Sequence, residues 1–542
     1  MKQLKYALII LCSAACFMSG CKKDWLDVNY NPLQLTENNA TPDLMLPAIL
    51  LKSQSTNAAS RLLQNWMGYW AHPAYPSGST ATSYALLDYS SIDVSPNPEI
   101  LLMEQNAVKK DQPFYIGIAK ILKAVSWARA VDSFNNLPYL DAMDVNNRKP
   151  HYDNGQLIYE DLVRQIDTAI TLIKGASIDK TIRISSADIM FKGDKTLWVK
   201  FGNTVKLRLL MHQASRTDRA VYIKREIDRI LAEGTGFLGT MQDADINPGY
   251  TFDKPASYFS NNSAFDISVR SYVIIGSNFL PSWQLSSANV TVLDFLKETN
   301  DPRIGFLFNP VTLIKPVTGA EPFTQPPPLE YRGNRFGLTV DNKVFPYQEA
   351  NYISQVGGVT QQRLAVSTTS SGIIKGFNMD SWILTSVESF FLQAEATYRG
   401  WLPGEAEIAY KNAVKESFRW LNVGKNTAIP GLSDQIFDNW YNQETINGNP
   451  RVSWIAAPDK YKLLMFQKYL AFTGIEPFES WVDYRRNGSY PNIPLSYDPA
   501  RIGNTMPIRL PYPTAEAIVN GEELAKQGTI DVFNSKIWWM PN

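Results

Sequence analysis

The chain has 542 residues, its 52 Lys plus Arg are matched by 52 Asp plus Glu, and its 12 % aromatic content includes 14 Trp and 26 Tyr. That neutral balance argues against the basic surface that nucleic acid or anionic lipid selects, and the length is ample for one large core or two to three smaller ones. The cysteines are Cys12, Cys16 and Cys21 and the histidines His72, His151 and His212, a supply that speaks against a disulfide framework, thiolate zinc, a Cys–His nucleophile or a histidine metal cluster.

In chain order, Lys2 and Lys5 form a short basic start, Ala7 to Phe17 is apolar apart from Ser13, and Ser19 and Gly20 stand directly before Cys21. The order is that of a secretion signal, and the apolar run is too short to cross a hydrocarbon core that needs ~20 residues. Small residues before a cysteine resemble the bacterial lipobox, in which the Cys receives a diacylglyceryl group and an acyl chain. The competing reading is an ordinary signal peptide with a chance cysteine. Removal of residues 1–20 would leave Cys21 as the one cysteine of the mature chain and a net charge near −2. Residues 21–40 then read as a lipid-anchored tether, because Asn29, Asn31, Pro32 and the Glu37 to Ala40 stretch discourage regular structure.

Helical periodicity follows. Asp153 with Gln156 three places later reads as an N-cap and capping-box partner, ahead of the stripe Tyr159, Leu162, Val163, Ile166 and Ile170. Trp198, Phe201, Val205 and Leu209 make a second stripe. Val387, Phe390, Phe391 and Ala394 make a third, the chain turns between Gly400 and Gly404, and Ala406, Ala409, Tyr410 and Ala413 return. This predicts a helical hairpin of tetratricopeptide length, its small residues permitting close approach. Between about residues 239 and 376 Gly, Pro, Asn, Ser and aromatic residues displace helical signals, with a turn expected at Asp301, Pro302 and Arg303. No composition shift marks a linker, so residues 41–542 read as a single domain carrying a loop-rich insertion, and stretches of that kind usually carry function.

The helical residues also resemble a known family. Ala119 to Ala124, Val131-Asp132-Ser133-Phe134 and Leu137-Pro138-Tyr139 are similar to a helix and turn of the SusD/RagB family. Gly193-Asp194 with Trp198, Lys200, Phe201, Asn203, Thr204, Lys206, Leu207 and Arg208 resembles its central helix. Glu388, Ala394-Glu395-Ala396, Arg399-Gly400 and Ala413 resemble its later hairpin. Gln467-Lys468, Glu479-Ser480-Trp481, Asp483, Arg485-Arg486, Arg509 to Pro513 and Trp538-Trp539 resemble its C-terminal signature. The Asn29-Tyr30-Asn31-Pro32 opening and the loop content suggest a SusD-like branch divergent from the starch-binding prototype.

The resemblance implies a mainly α fold of four tetratricopeptide-like helix pairs carrying a large irregular ligand-binding face. It implies a non-enzymatic lipoprotein of the outer membrane facing the cell exterior, which binds a glycan or other nutrient without a cofactor. The implied partner is a SusC-like, TonB-dependent β-barrel transporter. The charged motif residues Glu388, Glu395, Glu479, Asp483 and Arg486 lie at helical spacings where charge pairs lock helices together, and are expected to be structural.

The ligand site is argued from chemistry. Sugars present apolar C–H faces and hydroxyl edges, so a site for them offers exposed aromatic rings flanked by amides and carboxylates. Trp66, Tyr69, Trp70, His72 and Tyr75 form one candidate run, and Trp283, Tyr331 and Tyr352 with Asn278, Asn334 and Asn351 another. Three-residue spacing assigns Trp66 and Tyr69 to a buried face, which leaves Trp70, Tyr75, Trp283 and Tyr352 as the expected ligand-binding residues. Their competing role is core or contact with the barrel. Two alternatives belong to other classes: a surface glycoside hydrolase, whose two carboxylates would face each other across a cleft as Asp243, Asp245, Asp253 or Asp266 could, and a helical-repeat scaffold that binds only protein. No Gly-x-Ser-x-Gly elbow or phosphate-cradling glycine fingerprint occurs.

Overall fold

The periodic stripes form helices where the spacing places them. A computed structural model of the chain describes residues 40–54, 61–71, 78–85, 98–141, 144, 146–178, 183–251, 287–312, 329–338, 353–354, 356–357, 371–373, 375, 379–424 and 431–541. Pro42–Asn542 and Met1–Thr41 separate as two units. Cys21, the signal and nearly all of the tether lie outside the described residues.

The first long helices are α1 (Pro42–Gln54), α2 (Pro98–Lys109), α3 (Pro113–Phe134), α4 (Gly155–Gly175), α5 (Lys195–His212) and α6 (Ala220–Glu233), with short helical turns between some of them. Pro113 sits in the first turn of α3, where its missing N–H costs nothing, and the helix is buried on nearly every side. Its neighbours α4 and α5 pack along it. Close approach of α4 requires Gly117, since a Cβ there would stand 2.5 Å from Ile173 Cγ1. All five residues of the Tyr159 to Ile170 stripe are buried, and each such side chain contributes ~1.5–3 kcal/mol when fully removed from water. The cap of α4 differs from expectation. Asn154 accepts from Gln156 N, while the Asp153 carboxylate reaches back to Tyr139 N and Leu140 N at 2.9 and 2.8 Å. Asp153 thus closes the α3–α4 connection and leaves the capping to its neighbour.

Asp194 caps α5 through Leu197 N, and Trp198, Phe201, Val205 and Leu209 are buried below it. Leu207, Leu210 and Met211 of α5 meet Ile223, Ile227 and Ile230 of α6 in one apolar cluster. Leu392 and Ala396 join that cluster from the predicted hairpin, which is α8 (Ser386–Tyr398) and α9 (Ala406–Trp420) around a left-handed Gly400. Between α6 and the hairpin, strand β1 (Ala244–Ile246) pairs antiparallel with β2 (Ser381–Leu384). A helix that the sequence reading missed, α7 (Val290–Glu298), begins at Asn289, whose side chain accepts from Thr291 N. Three more helices complete the scaffold, α10 (Leu432–Ile446), α11 (Lys460–Ala471) and α12 (Pro477–Arg486).

The expected turn at Asp301, Pro302 and Arg303 is present, and it is interior. Arg303 and Asp301 form an ion pair of 2.6 Å with both side chains fully buried. The guanidinium also donates to Ser417 Oγ of α9 at 2.8 Å and Gln467 Oε1 of α11 at 2.7 Å, so the turn bolts these two helices together.

Candidate functional site

The charged motif residues are interior, and each is held by a partner. Arg208 of α5 grips Glu388 of α8 with two bonds of 2.6 Å. Arg486 of α12 reaches Glu395 of α8 at 2.7 and 2.5 Å and Asp483 at 2.8 Å, and Lys468 of α11 pairs with Asp483 at 2.8 Å. His212 stands between Glu479 (2.9 Å) and Asp132 (3.3 Å). Burial pulls the imidazole pKa down, but the two carboxylates outweigh it and push it up to about 9. Trp539 donates its indole N–H to Asp132 at 2.7 Å, tying the C-terminus into the same lattice. Glu476 is fully buried beside Glu388, and burial first and that neighbour second hold its carboxyl well above the usual range. The paired groups fix helices against one another, the structural role expected for Glu388, Glu395, Glu479, Asp483 and Arg486, whereas both Glu476 carboxyl oxygens have no hydrogen-bond partner among the described residues.

The acidic residues considered for hydrolysis divide. Asp243 accepts from Ser386 N at 2.6 Å and Trp420 Nε1 at 2.9 Å, which commits both oxygens to the start of α8 and an α9 indole. Asp245, on β1, is pushed up to about 8 by burial and then by Asp243 and Asp380. Asp253 and Asp266 lie outside the described residues. Among the described residues no group of three or more His, Cys, Asp or Glu is placed to hold a metal ion, and no helix is long and apolar enough to cross a membrane.

Of the expected ligand-binding rings, the structure describes Trp70 and corrects it. Its side chain is 1 % exposed and its backbone bridges to Ala288, so the ring is interior and offers no open stacking face. Trp66 and Tyr69 are buried as expected, although the helix Arg61–Trp66 ends at Trp66 and Tyr69 follows a left-handed Gly68: Trp66 packs edge-on against Tyr84 and Trp481, and Tyr69 donates to Tyr469 O at 2.7 Å. Asn334 is also buried, in a parallel bridge with Asn289, and Tyr331 is half-buried. Tyr75, Trp283 and Tyr352 lie outside the described residues, as do His72, Asn278 and Asn351.

What the structure does describe is the framework from which those segments leave. Ala71 N donates to Ser287 O (2.8 Å), Ala288 N to Ser354 O (2.8 Å), Asn334 N to Ala288 O (2.9 Å) and Ser354 N to Arg332 O (2.8 Å). The approach is tight, since a Cβ at Gly333 would fall 2.4 Å from Val290 N. Nearby in sequence, Gly78 N and Thr82 Oγ1 donate to the buried Asp498 carboxylate at 2.8 and 2.5 Å. Ala71 and Gly78 flank Tyr75, Ser287 follows Trp283 by four residues, and Ser354 follows Tyr352 by two. Three chain segments far apart in sequence are therefore rooted in one bonded cluster. Asn289, Ser354 and Asp498 were not singled out from sequence, although Asn289 before a Val290-Val292-Leu293-Leu296 pattern carries an N-cap signal.

Paired helices locked by buried charge define a helical-repeat protein of tetratricopeptide-like build. A SusD-like family model, described as starch-binding associating with outer membrane, matches residues 34–513. The chain belongs to this SusD-like family. Its fold is similar to that of a SusD homologue from Bacteroides fragilis, at 17 % identity and a TM-score of 0.68, covering 93 % of this chain and 100 % of that one. It is similar also to a chitin-binding SusD homologue from Flavobacterium johnsoniae (22 % identity, TM-score 0.65, 91 % of this chain and 98 % of that one). A SusD/RagB family protein of Bacteroides thetaiotaomicron gives 18 % identity and a TM-score of 0.62 over 92 % of this chain and 99 % of that one. A search of curated proteins found no match to the sequence.

Proposed function

We propose that this protein is a cell-surface lipoprotein, anchored through Cys21, that binds a glycan and delivers it unaltered to a SusC-like, TonB-dependent β-barrel transporter. The observation that carries the reading is the common rooting of the segments bearing Tyr75, Trp283 and Tyr352, in a chain whose family is described as starch-binding. An extended chain spans at most ~3.6 Å per residue, so a ring within four residues of a root has its backbone within ~15 Å of it. Aromatic rings brought that close from separate segments can stack on successive sugar units of one oligosaccharide. The chitin-binding relative supports a polysaccharide over a peptide as the ligand class. The carboxylates of the charged motifs are committed to buried ion pairs, which favours binding over hydrolysis as the role of this chain.

Titration of starch and chitin oligosaccharides against Tyr75→Ala, Trp283→Ala and Tyr352→Ala tests this. Each substitution should weaken binding by ~1–3 kcal/mol, the range for truncating an anchor residue, with the melting temperature nearly unchanged. A core aromatic cut to Ala would instead cost ~3–5 kcal/mol of stability. Lost stability with intact affinity would defeat the proposal, as would release of reducing sugar by the purified wild type.

A further inference from the structure

Two short runs of chain lie side by side on the framework just described. Tyr497 N donates to Phe336 O at 2.9 Å, and a Cβ at the left-handed Gly337 would stand 2.8 Å from Asp498 N, so the two backbones meet without a side chain between them. In each run one exposed residue stands between two buried ones, Arg335 between Asn334 and Phe336, and Tyr497 between Ser496 and Asp498. Alternation of that kind turns the middle side chain outward. Asn334 bonds to Ala288, and the Asp498 carboxylate holds Gly78 and Thr82, so Arg335 and Tyr497 are each one residue from the root itself.

The Arg335 guanidinium rests over the Tyr497 ring, 5.1 Å from its centroid, and Tyr497 is 44 % exposed. An aromatic neighbour orients a guanidinium without cancelling its charge, and leaves in-plane N–H donors that can meet a carboxylate or sulfate through two parallel bonds. The protein supplies no such oxyanion. Among the described residues the Arg335 side chain has no hydrogen bond or ion pair, whereas Arg332, three residues earlier, is paired with Glu330 at 2.9 Å. Asp498, next to Tyr497 in sequence, is buried and accepts from Gly78 N, Thr82 Oγ1 and Ala500 N, which occupies both of its oxygens. Arg501 ends the turn that follows, its N donating to Asp498 O at 3.0 Å, and its guanidinium also lacks a hydrogen-bonding or ion-pair partner among the described residues. Positive charge at this edge of the framework is therefore oriented and left unneutralised.

We infer that Arg335, held on Tyr497, recognises an oxyanion on the ligand, a sugar carboxylate or a sulfate ester, so that the glycan taken up is an acidic one. This rests on the glycan reading proposed above and adds the charge of the ligand to it. Because the guanidinium is exposed, its contribution is sensitive to salt.

Calorimetric titration of the full chain tests this with four kinds of probe: maltohexaose and chitohexaose, which are neutral, a galacturonan hexasaccharide carrying only carboxylates, a carrageenan hexasaccharide carrying only sulfates, and hexaglutamate. At least one acidic hexasaccharide should bind more tightly than both neutral ones, and which of the two prevails identifies the oxyanion. Arg335→Ala should weaken that binding ~10- to 100-fold, the loss expected for hydrogen bonds to a charged group, and ~1 M salt should weaken it in the wild type. Arg335→Lys keeps the charge without the fork and should fall between. Tyr497→Phe should retain most of the affinity, since it keeps the ring on which the guanidinium rests. Neutral hexasaccharides bound as tightly as acidic ones, or acidic binding that Arg335→Ala leaves unchanged at an unaltered melting temperature, would overturn the inference and leave the glycan reading standing. Hexaglutamate bound as tightly as the acidic sugars would make the ligand an acidic peptide and overturn it too. Failure of the wild type to bind any of the sugars would remove both readings.

Discussion

A single carboxyl shows how burial is coupled to pH in this fold. Asp245 is held at about 8 by burial and by its neighbours Asp243 and Asp380, whereas an unfolded chain releases the same proton near ~3.9. Its folded pKa is raised, so below the unfolded value both states are protonated and it has no destabilising effect. As pH climbs from about 4 towards 8 the unfolded chain loses the proton, the folded one retains it, and stability falls. Asp245→Asn should therefore raise the melting temperature little at pH 4 and progressively more up to pH 8. A difference that stays flat across that window would mean the carboxyl is solvated in the folded protein. The ion pairs show what sequence can and cannot reveal at this scale. Asp483 and Arg486 are three residues apart on α12, a spacing that can be read directly. Arg208–Glu388 and Arg486–Glu395 cross between helices, and only a fold, or resemblance to one, can bring such partners together.

Among the elements, α4 offers the cleanest measurement. Its N-cap is Asn154, so Asn154→Ala should cost ~1 kcal/mol of stability in chemical denaturation, the typical value of a lost cap. Asp153→Ala should act differently, loosening the Tyr139–Leu140 clasp while the α4 cap persists; equal helix fraying in the two variants would return the capping role to Asp153. The stripes of α4, α5 and the α8–α9 hairpin were legible because amphipathic periodicity and burial share one cause. The α4 cap was placed one residue early because Asp and Asn are both good caps and the competing acceptor role of Asp153 is set by tertiary contact. Helix α7 was hidden by its β-branched Val290, Thr291 and Val292 and its polar surroundings. Trp70 was not legible as core from helical spacing, because the helix Arg61–Trp66 ends before it and the ring is buried through an extended bridge to Ala288.

For the whole molecule, the anchoring expectation from Ser19, Gly20 and Cys21 yields a test that the fold does not influence. Cys21→Ala should give a folded protein that no longer sediments with membranes and no longer incorporates labelled palmitate, because multiple acyl chains supply the stable attachment that one chain alone does not. Palmitate labelling that persists in the variant would refute the lipobox. The helical scaffold was legible through its periodicity, whereas the common root of the ring-bearing segments was not, because the backbone bonds 71–287, 288–354, 334–288 and 354–332 leave no pattern in side-chain chemistry. That root has an evolutionary consequence. Since the bonds at Ala71, Ala288, Asn334 and Ser354 are main-chain bonds, which depend little on side-chain identity except at a close approach such as Gly333, the connecting segments can change in sequence while the root is kept. Selection on what those segments recognise is thereby partly uncoupled from selection on foldability.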